Sequence, residues 1–409
     1  MHFPSFHHRQ KTAFFILSAV ILASASFSVF SQDAEPAAAK AQPAAKFRLS
    51  LPGYRYQFPR DHGAHRAFQT EWWYYTGHLR DTQNRRFGYQ LTFFRNALQP
   101  AVPTRASKWA TRDVMFAHLA LTDESGKRFL FCDRIARAAA GLAGADDLTR
   151  KTAATSAQST LPRVWLHDWA LQFGGKSGER QSVRAGGKNF SEAGPLRFAV
   201  ALSHRTTKPP TQHGRNGVSQ KSAGVGRASH YYSLTRLATS GTIRIGAGKY
   251  FVTGESWFDH EFGSSQLNPK HAGWDWFSLQ LADGRELMLY QLRFKSGGFD
   301  PYSSGTLIEK NGRARHLKLS DFRIQVLATS RMKSGTTYPS RWRVSLPREK
   351  LQLEITPALA DQELNTKRST GIAYWEGLID CRGTQNGRPI RGVGYVELTG
   401  YARPFGSTF

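Results

Sequence analysis

Short stretches in which aromatic or β-branched residues alternate with small or polar ones follow one another along most of this chain: "EWWYYTGHL", "FGYQLTFF", "MFAHLALT", "LRFAVALS", "HYYSLTRL", "GKYFVTGESWF", "WDWFSLQL", "ELMLYQLRF", "YWEGLIDC" and "GYVELTGY". A period of two is the period of a strand. The separators are turn-forming, as in "DTQNRR", "DESGK", "ADGRE" and "KNGR", and of hairpin length. Helical periodicity is scarce; Ala136 to Ala145 and the neighbourhood of Ala358 to Leu364 are the fair helix candidates. The chain is therefore expected to be all-β, built of antiparallel strands in barrels or sandwiches.

An internal repeat points to two units. "EWWYYTGHLRD" (Glu71 to Asp81) lies without a gap on "GWDWFSLQLAD" (Gly273 to Asp283), with Trp72 on Trp274, Tyr74 on Trp276 and Tyr75 on Phe277. Each copy is followed by a turn, by "YQL" (Tyr89 to Leu91, Tyr290 to Leu292) and by an arginine, Arg95 or Arg293. The expected division is a unit over residues 47–225 and a second over 226–409.

The first residues carry an address. A basic lead with Arg9 and Lys11 precedes "TAFFILSAVILASASFSVFS", the build of a secretory signal peptide. Small residues suit cleavage after Ala25 or Ser31, with Ser31 preferred, making 1–31 the signal and the Ala/Pro-rich 32–46 a flexible linker. An uncleaved anchor is the alternative, because the run nears the ~17–25 apolar residues of a span. Either way the folded part is expected to be exported, in the periplasm or cell envelope. The formal charge of +26 draws polyanions, but an exported protein rarely meets nucleic acid, and none is expected as partner. The cations concentrate in "RTTKPPTQHGRNGVSQKSAGVGR", Arg205 to Arg227, a loop by composition. It reads as a solvated surface or a contact with a membrane surface. Cys132 and Cys381 could pair in an oxidising compartment or stay free.

The strand faces carry the functional signal. Alternation groups Trp257 with Asp259 and Glu261, His230 with Tyr232, Trp72 with Tyr74, and Trp274 with Trp276. An ordinary second face would be wet and lysine-rich; here it keeps large rings. A ligand-holding interior would show this, as would two stacked barrels whose Trp and Tyr tips are hydrogen-bonded. In "GESWFDHEFG" (Gly254 to Gly263), a carboxyl shielded by rings loses solvation and holds its proton. Such an acid can protonate a substrate, and the rings can stabilise a cation. The structural alternative is that Asp259 and Glu261 cap a turn or pair with arginines. "DHGAH" (Asp61 to His65) and "DHE" (Asp259 to Glu261) offer metal-type ligands without a firm spacing, so no metal is expected. No Gly-x-Ser-x-Gly elbow or phosphate-cradling loop occurs, and no cofactor is expected.

Together "FPRDHGAH", "TEWWYYTGHL", "GYQLTFFR", "AHLALTD", "GLAGA", "ASHYYSLTRL", "GESWFDHEFG", "GWDWFSLQLADGRELMLYQLR", "DQEL" and "GYVELTGY" resemble the AttH/CrtC-like lipocalin family, over Tyr54 to Tyr401. That family includes carotenoid 1,2-hydratases and exported proteins described as hydrolases. The resemblance implies two lipocalin-like barrels packed together, with an apolar small molecule near their interface. It implies Asp259 as a proton-donating acid, with His230 and Glu261 beside it and Tyr232 and Trp257 as walls. Trp72, Tyr74, Trp274, Trp276, Tyr290 and Arg293 complete the expected ligand contacts. A signal peptide departs from the pigment-pathway members and argues against a carotenoid substrate; an acid-type hydratase or hydrolase acting on an apolar substrate in the cell envelope is one expectation. A non-catalytic carrier, perhaps beside a transporter, is a second, and two barrels that fill each other, leave no cavity and offer only a basic surface to a partner are a third.

Overall fold

Alternation becomes paired strands from Thr70 onward in the computed structural model, which describes residues 46–101, 104, 106–149, 161–191, 194–265, 268–366 and 369–404. The expected signal peptide and nearly all of the expected linker fall outside the described residues. Thr70–Asp81 and Arg86–Ala97 form the first hairpin. The other edge of Thr70–Asp81 pairs with Gly248–Gly263, which pairs with Ala228–Ile245. Outward from this centre lie Asp113–Asp123 and Arg128–Arg137 on one side, and Gly194–Thr206, Arg180–Ser191 and three shorter strands on the other. The 13-stranded sheet curls into a nearly closed barrel. Where its sides meet, the Phe131 N–H donates to Asn189 Oδ1 (3.0 Å) and Arg134 to the Gly186 carbonyl (3.1 Å).

The second sheet has 10 strands and forms a half-barrel. His271–Leu281, Glu286–Phe294 and Ser304–Ile308 run to one edge, and Arg388–Leu398, Ala373–Gln385, Leu351–Pro357 and Thr337–Leu346 toward the other. The first sheet thus ends at Gly263 and the second begins at His271, well past the expected boundary at 225/226. The reason is long-range pairing: Ala228–Ile245 and Gly248–Gly263 hydrogen-bond to strands far earlier in the chain, a partnership that local periodicity does not encode.

Among the described residues there is no α-helix. Ala136 to Ala145 fails as one because Ala140 (φ 50°) and Gly141 (φ 76°) adopt the left-handed conformation, turning the chain between two strands. Ala358 to Leu364 likewise runs from a bend into the strand Glu363–Asn365.

Three apolar layers result. Trp73, Tyr75, Tyr89, Phe93, Tyr232 and Phe258 fill the barrel. Phe277, Leu279, Trp342, Trp375 and Val396 fill the half-barrel. Between the sheets Tyr74, Tyr231, Trp257, Trp276, Met288 and Tyr290 form a third cluster. The central strands are therefore buried on both faces, and this is why they lack a wet face. The repeat meets itself here: Tyr74 and Trp276, aligned in the sequence, touch edge to face with ring centres 5.3 Å apart. The "YQL" match does not hold structurally. Thr92 stands opposite Tyr74 and Tyr290 opposite Trp276, while Tyr89 points into the barrel. An odd register offset sends a side chain to the other face.

Buried charges clamp the sheets. Arg86 donates to both oxygens of Asp380 (2.7 and 2.8 Å). Glu286 receives Lys208 and Arg236, each at 2.7 Å. The basic segment 205–227 is accordingly less solvated than its composition suggests. Lys208 and Lys221 are ion-paired, and the fully buried His213 bonds to Thr306 and Ser233. Cys132 and Cys381 are both free, one in each sheet.

Candidate active site

Alternation along Gly248–Gly263 turns Phe258, His260 and Phe262 into the barrel and Trp257, Asp259 and Glu261 toward the second sheet. The neighbouring strand decides what surrounds the acid. Ser233 stands directly opposite Asp259, and Tyr231 opposite Glu261; directly opposed residues share a face. Tyr231 donates its hydroxyl hydrogen to Asp259 Oδ2 (2.7 Å), Trp257 Nε1 donates to Oδ1 (2.6 Å), and Ser233 also donates to Oδ1. Three donors favour the carboxylate, but burial favours the acid. Burial prevails: Asp259, 4% exposed, is pushed up from 3.8 to about 7.

Two glutamates reach the same layer from the half-barrel. Glu376 and Glu397 are direct cross-strand neighbours. Trp274 Nε1 donates to Glu397 Oε2 (3.0 Å), and Tyr74, from the barrel, donates to Glu376 Oε1 (2.8 Å). Burial, then repulsion by neighbouring carboxyls, pushes Glu397 to about 7 and Glu376 well above its usual range. Glu376 Oε2 has no partner among the described residues, as suits a neutral carboxyl. Glu261 differs: Ser229 and Lys221 (Nζ 3.1 Å away) both engage it.

All of these carboxyls but Glu376 border a cavity of about 430 Å³ between the sheets, within the ~300–1,000 Å³ range of small-molecule sites. Asp259, Glu261 and Glu397 line it, with Trp72, Tyr74, Phe94, Phe116, Tyr231, Trp274, Trp276, Tyr290 and Leu292 supplying most of the apolar wall. A carboxylic acid holding its proton in an aromatic chamber can deliver that proton to an electron-rich double bond or a leaving oxygen.

The family model described as AttH-like matches residues 50–401. The chain belongs to the AttH-like family. Among solved structures, an AttH-type protein of Nitrosomonas europaea is 32% identical, with a TM-score of 0.72 over 87% of this chain and 100% of its own. Kievitone hydratase from Nectria haematococca is 13% identical, with a TM-score of 0.62 over 88% of this chain and 97% of its own; that likeness is one of fold. No curated protein is significantly similar in sequence.

In this AttH-like chain Asp259, Glu261, Trp72, Tyr74, Trp274, Trp276 and Tyr290 come together around one cavity, and Trp257 backs Asp259. His230, Tyr232 and Arg293 do not join them. His230 and Tyr232 stand opposite Phe262 and His260, on the barrel side; His230 packs on Tyr54 (ring centres 4.5 Å apart). Alternation within a strand groups residues correctly but does not say which group on the next strand they meet. Arg293 lies one residue beyond Leu292, so it turns away, bonding to Asp275 (2.8 Å) and capping the Tyr401 ring. Sequence reasoning missed Tyr231, Ser233, Lys221, Glu376 and Glu397 as site members. Glu376 and Glu397 did leave a signal: each is a lone acid inside an otherwise uncharged strand segment, "YWEGLI" and "GYVELT".

The motifs "DHGAH" and "DHE" do meet, but inside the barrel. His65, Glu71 and His260 offer three ligand-type atoms within 4.8 Å of one another. Glu71 Oε1 contacts His65 Nδ1 (2.7 Å) and His260 Nε2 (2.8 Å), and Oε2 accepts from Arg95 (3.0 Å). The other ring nitrogens reach Asp61 and Tyr232. Every polar atom of the trio has a protein partner, so the cluster serves as a buried brace.

Proposed function

We propose that this chain binds an apolar, lipid- or isoprenoid-like molecule between its sheets and adds water to it, or opens an acid-labile bond in it, by proton transfer from Asp259. The observation that carries the reading is Asp259 itself: a buried carboxyl that lines the cavity, held by Tyr231, Ser233 and Trp257 and titrating at about 7. A general acid works best with a pKa near the operating pH. In hydration, the acid proton bonds to one alkene carbon as the π bond breaks. The cation left on the other carbon lies among ring faces that stabilise positive charge. Water bonds to that carbon and returns a proton to the Asp259 carboxylate, restoring the acid. The hydratase of similar fold makes this chemistry compatible with the architecture, although fold alone assigns no reaction.

A carrier would use the same cavity without the acid. To separate the two, the full chain and its Asp259→Asn variant are incubated with extracted envelope lipids and isoprenoids and followed by mass spectrometry. A species that gains the mass of one water with the wild type alone supports catalysis. Co-purification of one unchanged apolar molecule with both forms would make the protein a carrier, for which a transporter is a fitting partner. Export through the N-terminal leader belongs to the same proposal, and cell fractionation tests it.

A further inference from the structure

The cavity has a basic end. The hairpin that joins Val218–Gln220 to Ala228–Ile245 is closed by the Lys221 N–H donating to the Arg227 carbonyl (2.8 Å), and both side chains line the cavity. Two cations are thus carried on one tight turn at its rim. Lys221 is 7% exposed; its Nζ lies 3.1 Å from Glu261 and 4.2 Å from the centre of the Tyr290 ring. Arg227 is half-buried and donates to Ser265 Oγ (2.8 Å). Among the described residues no carboxylate lies within ion-pair distance of it, whereas Arg95, also on the wall, is saturated by Glu71, Asp113 and two carbonyls.

We propose that the occupant is a single-chain amphiphile with an acidic head, the head bound by Arg227 and Lys221 and the apolar body running past Tyr290, Tyr231 and Trp276 to Asp259. This rests on the reading of the cavity as the substrate site and adds the substrate class. Polarity sets the orientation. The inner wall carries the uncharged carboxyls Asp259 and Glu397, held by Tyr231, Ser233, Trp257 and Trp274 rather than by a cation, so it offers an anionic head no counter-charge. The rim offers a guanidinium with donors to spare, the group best suited to a carboxylate, sulfate or phosphate monoester. The formal charge of +26 adds a field that concentrates anions. The Glu261–Lys221 pair then has a second purpose. It holds the ammonium over the Tyr290 ring, so that a second cation reaches the head while the body passes on into the aromatic chamber.

The test titrates the full chain with dodecanoate, dodecanol and dodecyltrimethylammonium, equal chains with three heads, reading the fluorescence of the cavity tryptophans. Dodecanoate is expected to bind about tenfold tighter than dodecanol, the effect of one charge-assisted hydrogen bond, and dodecyltrimethylammonium weakest. Arg227→Gln, at a half-exposed position, should remove most of that preference and leave dodecanol affinity unchanged. Lys221→Gln should act in the same direction. Equal binding of acid and alcohol by the wild type would overturn the head assignment and leave the apolar-cavity reading standing. Failure of all three chains to bind would overturn both. Vesicles of anionic phospholipid form a separate arm. If Arg227→Gln abolishes vesicle binding while free dodecanoate never binds, the turn recognises a lipid surface and the single-chain proposal fails.

Discussion

Tyr231 donates to Asp259 across 2.7 Å while its own oxygen accepts the Trp276 indole N–H from the opposite sheet at 3.2 Å. The acid of the barrel is therefore tuned partly by the half-barrel, and neither sheet alone makes the site. Burial pushes the Tyr231 phenol well above its usual range, so it remains a donor throughout the working pH range. Its hydrogen bond opposes the effect of burial on Asp259, and the position near 7 is the balance of the two.

Asp259→Asn should lower turnover by roughly 10²–10⁴-fold, the usual contribution of a general acid, without loss of ligand binding. In the wild type the protonated form is the working form, so rate should fall as pH rises through about 7. Stability carries the same signature. The native state keeps a proton that the unfolded chain has released between 3.8 and about 7. The stabilisation is thus complete below that window and lost as pH rises across it, by roughly 4 kcal/mol. Asparagine should flatten that slope in denaturant titrations at pH 5 and 8, and an unchanged slope would refute the assignment.

Tyr231→Phe removes a donor that favours the ionised form. Asp259 should then titrate about 1–2 units higher, the equivalent of one hydrogen bond to a charged group. The falling limb of the pH–rate profile, or a carboxyl ¹³C resonance, would report the shift. Movement toward acid would mean that the phenol bonds the neutral acid instead.

The all-β class and the two-unit plan were legible because period-two alternation and an ungapped repeat are local properties. So was the face bearing Trp257, Asp259 and Glu261, since parity within one strand is fixed by the pleat. The neighbours were not legible. Whether His230 or Tyr231 meets Asp259 depends on the register of Ala228–Ile245 against Gly248–Gly263, and a shift of one residue exchanges them. The same limit placed Arg293 in the site and hid the true end of the first sheet at Gly263, both being matters of pairing. Lys221 escaped notice because a lysine in a Gly/Ser-rich loop looks solvated until a distant strand brings Glu261 against it.

The displaced histidine can be tested directly. His230 packs among Tyr54, Phe68 and Phe262 on the barrel side, and burial lowers it to about 4, so it is neutral at physiological pH. His230→Gln should cost about 1–2 kcal/mol in packing and leave the pH–rate limb in place. A shifted limb would show that the imidazole is coupled to Asp259 after all.

Cys132 and Cys381, in separate sheets and each pushed up to about 12 by burial, should stay as thiols even in an oxidising medium. A thiol reagent is expected to find both in denaturant and to react slowly with the native chain. Loss of the thiols on oxidative refolding, with a reductant-sensitive mobility change, would indicate a disulfide instead.

Glu376→Gln probes the second carboxyl layer. Glu376 is fully buried, accepts from Tyr74 through Oε1 and leaves Oε2 unpartnered; burial and then Glu397 push it well above 4.5. Its sign matches that of Asp259: the native proton stabilises the fold at low pH, and the contribution fades as pH climbs above 4.5 toward the raised native value. Glutamine keeps the Tyr74 hydrogen bond and carries no titratable proton. The variant should lie within about 1 kcal/mol of wild type at pH 5 and be the more stable of the two at pH 9. Denaturant midpoints at the two pH values measure this difference. A variant that loses more at pH 9 than at pH 5 would mean that Glu376 is ionised and paired, and the layer between the sheets would then hold a buried anion, rather than a neutral acid, beside Glu397.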